Sequence, residues 1–162
     1  MKPLVLAMLL VSVLALPTGA RSPRVRPLSN HVVELVRKAT ARSPTVARLL
    51  AVIEESNVIL QVDVRYEVTV PRAMTQLVAS GVGVRYVRTV INRTFSPWQQ
   101  IELLGHELQH VVEIATDTSV VDQETMRARF ELLGWREGRW GAFETTEAMS
   151  VEQQVRRELS GR

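Results

Sequence analysis

The sequence contains no cysteine, which excludes disulfides, thiolate nucleophiles and thiolate metal ligands. Any metal site must therefore be built from imidazoles and carboxylates, and imidazoles are scarce: the 162 residues include three histidines, His31, His106 and His110. A basic block is also missing. The 20 Lys and Arg are spread along the chain against 17 Asp and Glu, and aromatics make up only 5% of the residues. That pattern solvates a surface and gives no expectation of a nucleic-acid partner. Nor is there an apolar run of about 20 residues, the length a membrane span needs. The longest candidate, residues 4–16, follows Lys2 and precedes Thr18-Gly19-Ala20, which is the pattern of a signal peptide over residues 1–20. The expectation is an exported protein, periplasmic or extracellular, with no membrane association after cleavage; an uncleaved amino-terminal anchor is the alternative.

What remains suits one domain with one core. Residues 21–28 (RSPRVRPL) lack periodicity and read as a linker, leaving 29–162 as the domain. Ser29 or Asn30 can cap a first helix through about Ala41, and Ser43-Pro44 opens a second with Val46, Leu49, Leu50 and Ile53 on its apolar face. From 58 to 70 the period becomes two, which predicts a strand ended by Pro71. A connection with room for a short helical turn follows, and residues 81–91 (GVGVRYVRTVI) predict a second strand whose poorer alternation suggests a sheet edge. Asn92-Arg93-Thr94 matches a glycosylation sequon, a triplet too common to carry weight. Ser96-Pro97 starts a helix to about Thr116, and Asp122 caps another that ends before Gly134. WREGRWGAF reads as a Gly- and Trp-rich loop, and Thr145 or Thr146 caps a last helix reaching Leu159. The fold class is α+β: a sheet of two or three strands packed with helices.

The stretch LGHELQHVVEIA at 104–115 holds two of the three histidines four positions apart. At about 100° per residue His106 and His110 share one helix face, separated by about 40° and one turn of rise. Ile101, Leu104, Leu108, Val112 and Ala115 form an apolar stripe almost opposite, so the histidine face is expected to look outward, into solvent or a cleft. Glu107 lies about 100° round from His106, close enough to approach a water on a shared ion without ligating it. The competing reading is a surface helix with accidental spacing.

Through H106-E107-L108-Q109-H110 on a central helix the chain resembles the zincin superfamily of metallopeptidases. The resemblance implies Zn2+ as cofactor, His106 and His110 as metal ligands, Glu107 as general base, and a peptide or protein substrate held on the sheet edge, here 81–91. It also implies a donor for the developing oxyanion, for which Arg85, Tyr86 and Arg88 are candidates. The metzincin continuation is absent, because Glu113 and Thr116 stand where that branch has Gly and His. The gluzincin branch, which takes its third ligand from a glutamate on a later helix, fits better. His31 precedes the strands and reads as a helix-surface residue. Of the glutamates, Glu113 lies roughly 10 Å along the same helix and is better placed to orient His110. Glu147 falls in the first turn of the last helix, where the helix dipole already explains an acid. Glu144, just before that helix, has no such explanation and is the expected third ligand, with Glu147 next. Trp98, Trp135 and Trp140 are read as core or loop anchors.

These readings give an exported zinc peptidase of small gluzincin type. The alternatives are a non-catalytic zincin-like domain that binds metal or peptide, and a structural domain with an accidental motif.

Overall fold

The structure, a computed structural model, describes residues 22–66, 72–137 and 142–161. The expected signal peptide, Pro71 with the end of the strand before it, and Trp140 lie outside these residues. Within them no helix is long and apolar enough to cross a membrane.

Among the described residues, five helices pack with a mixed four-stranded sheet and a separate two-stranded hairpin, an α+β architecture. The first two helices begin where the caps place them. α1 (Asn30–Arg42) starts at Ser29, whose hydroxyl accepts from Val32 N–H, and α2 (Pro44–Glu55) starts at Ser43, which accepts from Val46 N–H. Each Oγ replaces the missing intrahelical partner of an exposed amide. Part of the expected linker is structured: β1 (Val25–Pro27) pairs in parallel with β2 (Val58–Arg65). The pairing is made by backbone groups, and Glu54 accepts from the Arg24 and Val25 amides, so neither interaction leaves a side-chain period to read.

The sheet order is β1-β2-β4-β3, with β4 (Val84–Asn92) parallel to β2 and β3 (Ala73–Gly81) antiparallel to β4. Two expectations are corrected here. The segment read as a possible helical turn is β3, a strand in which only Leu77 is buried and which therefore carries no hydrophobic period. Strand β4 is interior rather than an edge. Its weak alternation comes from burial on both faces, with Val90, Ile91 and Asn92 all buried, as strands with parallel neighbours usually are. The sheet thus has four strands, and the edge beside β4 is β3. Gly83, at φ +71°, makes the tight turn between them.

Helix α3 (Pro97–Thr116) is the central element, in contact with α1, α2, α5, β3 and β4. Ser96 and Gln99 form a reciprocal capping box at its start. Ile101, Leu104, Leu108, Val111 and Ile114 join Val58, Leu60, Val62, Val87 and Ile91 of the sheet in the core. α4 (Gln123–Leu133) is capped by Asp122, and α5 (Thr146–Leu159) by Thr145. Between them the expected loop is a hairpin, β5 (Gly134–Glu137) and β6 (Ala142–Thr145). Glycine is required at its base: a Cβ on Gly134 would fall 1.8 Å from the carbonyl oxygen of Glu144.

Candidate metal centre

Helix α3 presents two faces, and both are covered. The apolar stripe meets the core as expected. The histidine face does not look into solvent: His106, Glu107 and His110 are 3%, 4% and 5% exposed. Strand β6 and helix α5 bring carboxylates against it, and Phe130 of α4 sets its ring edge-on to His110 at 5.3 Å. Phe143 of β6 stacks on Phe130 at 6.1 Å, so the hairpin is anchored by an aromatic pair behind the histidines. The angular count on one helix cannot show what later elements lay over it.

Three potential ligands converge. One atom each from His106, His110 and Glu144 lies within 4.8 Å of the other two. His106 Nε2 is 3.1 Å from Glu144 Oε2. A tetrahedral ion with bonds of about 2.0–2.1 Å holds its ligand atoms roughly 3.3 Å apart, so this pair already has nearly the spacing zinc demands. The two imidazoles meet edge to face with centroids 4.9 Å apart. His110 Nδ1 is 2.9 Å from Glu113 Oε2, and Glu113 Oε1 accepts from Thr145 Oγ1 at 2.9 Å. With Nδ1 engaged by a carboxylate, the other ring nitrogen of His110 is left to the cluster. The carboxyl of Glu107 ends in a buried oxygen, Oε2, without a hydrogen-bond partner among the described residues. A buried, unpaired carboxylate oxygen is costly and uncommon. The donor set, the spacing of the His106–Glu144 pair and this orphaned oxygen are compatible with a divalent ion such as zinc.

Electrostatics tie the cluster together. Burial alone would lower the pKa of His106, but Glu144 and Glu152, helped by Glu107, outweigh it and push the imidazole up to about 10. Glu152 is held down to about 2, first by His106 and then by Arg72 against the effect of burial. For Glu144 burial is the largest influence and acts upward, yet His106 and the other nearby cations bring its pKa below the ordinary value.

The remaining expected residues are distributed differently. Glu147 is exposed in the first turn of α5 and takes no part in the convergence. Arg85 is buried, its guanidinium spent on carbonyls at the end of α3. Arg88 pairs with Asp63 across the sheet, and Tyr86 alternates to that same outer face. None of these three reaches the cluster. His31 sits on the surface of α1, with Nε2 3.1 Å from Gln100 Oε1. Trp98 and Trp135 are half-exposed rather than core residues, and Arg42 lies over the Trp98 ring.

Glu152 escapes the sequence reading altogether. It lies 3.1 Å from His106 Nδ1, off the ring's N–H direction, so the contact is an ion pair rather than an aligned hydrogen bond. A signal for it does exist. Ala148, Val151 and Val155 form the buried row of α5, and Glu152 interrupts that row with a charge.

No protein-family model, no curated protein and no solved structure matches the chain.

Proposed function

We propose that the protein is an exported zinc-dependent peptidase of zincin-like fold and gluzincin type, with His106, His110 and Glu144 holding the metal and Glu107 acting as general base. The observation that carries this reading is the meeting of both motif histidines with a carboxylate from a distant strand, beside a buried glutamate oxygen with no partner among the described residues. Zinc bound there would supply Lewis-acid polarisation of a peptide carbonyl and would make a nearby water acidic enough to attack it. The rest is work for the chain. Glu107 accepts the proton of the attacking water and delivers it to the departing amine nitrogen. Glu113, fixed by Thr145, keeps His110 in one orientation. An extended substrate would pair with the edge strand β3 rather than with residues 81–91 as a whole. The Leu77 carbonyl of β3 already accepts from Gln123 of α4, which leaves the Ala73 to Thr75 end for the peptide.

The second reading, a non-catalytic zincin-like domain, is favoured by the depth of burial of Glu107 and both histidines, which leaves little room for a substrate. The two separate cleanly. The protein purified without tag histidines is expected to contain stoichiometric zinc and to cleave an unstructured protein. Glu107→Gln should keep zinc and fold while losing hydrolysis by about 100-fold or more. Zinc without cleavage in the parent would establish the binding domain; no zinc would leave a structural domain with an accidental motif.

A further inference from the structure

Glu152 has a role that helix α5 does not explain. Its row of neighbours is apolar, and a carboxylate in that row carries a desolvation cost that the packing of α5 does not require. Yet the carboxylate is 8% exposed and fully engaged. Oε1 accepts from Arg72 Nη2 at 2.6 Å and from Arg156 Nη2 at 3.1 Å, and Oε2 faces His106 Nδ1 at 3.1 Å. Arg156 is held in turn by Glu102 of α3, 2.9 Å from its Nε. The group is thus braced on the side away from the metal cluster and presents its other oxygen to the back of a ligand ring.

We infer that Glu152 is the positioning residue for His106, and that Arg72 and Arg156 fix Glu152 so that His106 keeps Nε2 for the metal. The inference rests on the metal-centre reading above. It makes the two histidines a matched pair: His110 is oriented by Glu113 with Thr145 behind it, and His106 by Glu152 with two arginines behind it. The second brace reaches further. Arg72 directly precedes β3, and its carbonyl accepts from the Asn92 amide at the end of β4. Displacement of the β3 edge by a bound peptide would pass through Arg72 and Glu152 to the ring of His106.

The test is zinc affinity of the full chain, measured by competition with a chromophoric chelator, alongside urea denaturation of the metal-free protein. Glu152→Leu is expected to lower the zinc affinity of the folded protein by about 10- to 100-fold, in addition to the metal-free stability lost when His106 and Arg72 are left without their carboxylate. A merely structural glutamate would cost the same metal-free stability and leave the zinc affinity of the folded protein at the parental level. Arg72→Met should give a smaller loss in the same direction, because Arg156 remains. In 15N spectra of the zinc-loaded parent His106 should carry its proton on Nδ1 alone, and Glu152→Leu should blur that tautomer. If Glu152→Leu does not fold, Glu152→Gln provides the affinity comparison. A folded variant with parental zinc affinity overturns the positioning role and leaves the metal centre standing. A parent that binds no zinc removes both.

Discussion

Replacing Arg85 by methionine tests whether this residue serves the fold or the chemistry. Its Nη1 donates to the carbonyls of Ile114 and Asp117 at 2.6 Å and of Val120 at 3.2 Å. Its Nη2 donates to the Ala115 carbonyl at 2.9 Å and to Asn57 Oδ1 at 2.7 Å, and Nε reaches the same amide oxygen at 3.1 Å. The last turn of a helix has carbonyls without intrahelical partners and a negative dipole end, and here one guanidinium from β4 donates to two of them, Ile114 and Ala115, and to Asp117 and Val120 just beyond. Methionine preserves the aliphatic stem but removes all of these donors; the Asp117 carbonyl keeps the Val120 amide, while the carbonyls of Ile114 and Ala115 lose the guanidinium. Hydrogen bonds from a charged donor contribute about 1.5–3 kcal/mol each. They share one group, and water can reach a fraying helix end, so the net loss is far below their sum, about 4–6 kcal/mol. That is a large part of the stability of a domain this size, about 5–15 kcal/mol. Arg85→Lys, with three donors on a single nitrogen, should fall between. Urea denaturation followed by circular dichroism measures the loss, and the fraction that remains folded should bind zinc with parental affinity. A change of less than about 1 kcal/mol would refute the helix-end role. Parental stability with hydrolysis lost would instead make Arg85 a donor to the transition state.

Glu144→Ala should reduce zinc affinity as severely as His106→Ala, Glu113→Ala by about 10- to 100-fold through the loosened His110, and Glu147→Ala not at all. Chelator competition across the four variants checks the ranking, and parental affinity in Glu144→Ala would remove the proposed ligand set. The metal-free protein should be most stable between about pH 4.5 and 6.5. Folding raises His106 from 6.5 to about 10, so its contribution is complete below pH 6.5 and is lost as pH climbs to about 10. Folding lowers Glu152 from 4.5 to about 2, so its contribution is complete above pH 4.5 and is lost as pH falls towards 2. Urea midpoints measured across this range with a chelator present should trace both limbs; a flat profile would contradict the charged cluster.

Local chemistry was legible and layering was not. Ser29, Ser43, Ser96, Asp122 and Thr145 each cap the helix that the sequence assigns to them, because a cap interacts with amides two or three residues away. The convergence of Glu144 on His106 was approached by elimination, since a carboxylate that helix stability does not require asks for another partner. Sheet order, by contrast, depends on pairing between distant backbones. Thus β1 has the sequence of a linker, β3 carries no period, and β4 reads as an edge because burial on both faces resembles poor alternation. The outward aspect expected of the histidine face failed for a related reason: its cover, Phe130, Phe143 and Glu152, comes from residues 20 or more positions beyond His110. The sequence signal for Glu152 is its charge inside the apolar row Ala148, Val151 and Val155 of α5.

The hydroxyl of Thr145 accepts from the Ala148 amide to start α5 and donates to Glu113 behind His110. A helix start ordinarily tolerates Ser, Thr, Asp or Asn. Here an aspartate would satisfy the amide but face Glu113 as a second anion with no proton to give, so divergence at this position is restricted to groups that both accept and donate. Glu144 and Thr145 are therefore coupled in the structure, one residue meeting His106 and the next starting the helix that follows. Distant descendants of this chain should preserve the pair Glu-Thr or Glu-Ser about 34 residues beyond the second motif histidine, even where the hairpin around it has drifted past recognition.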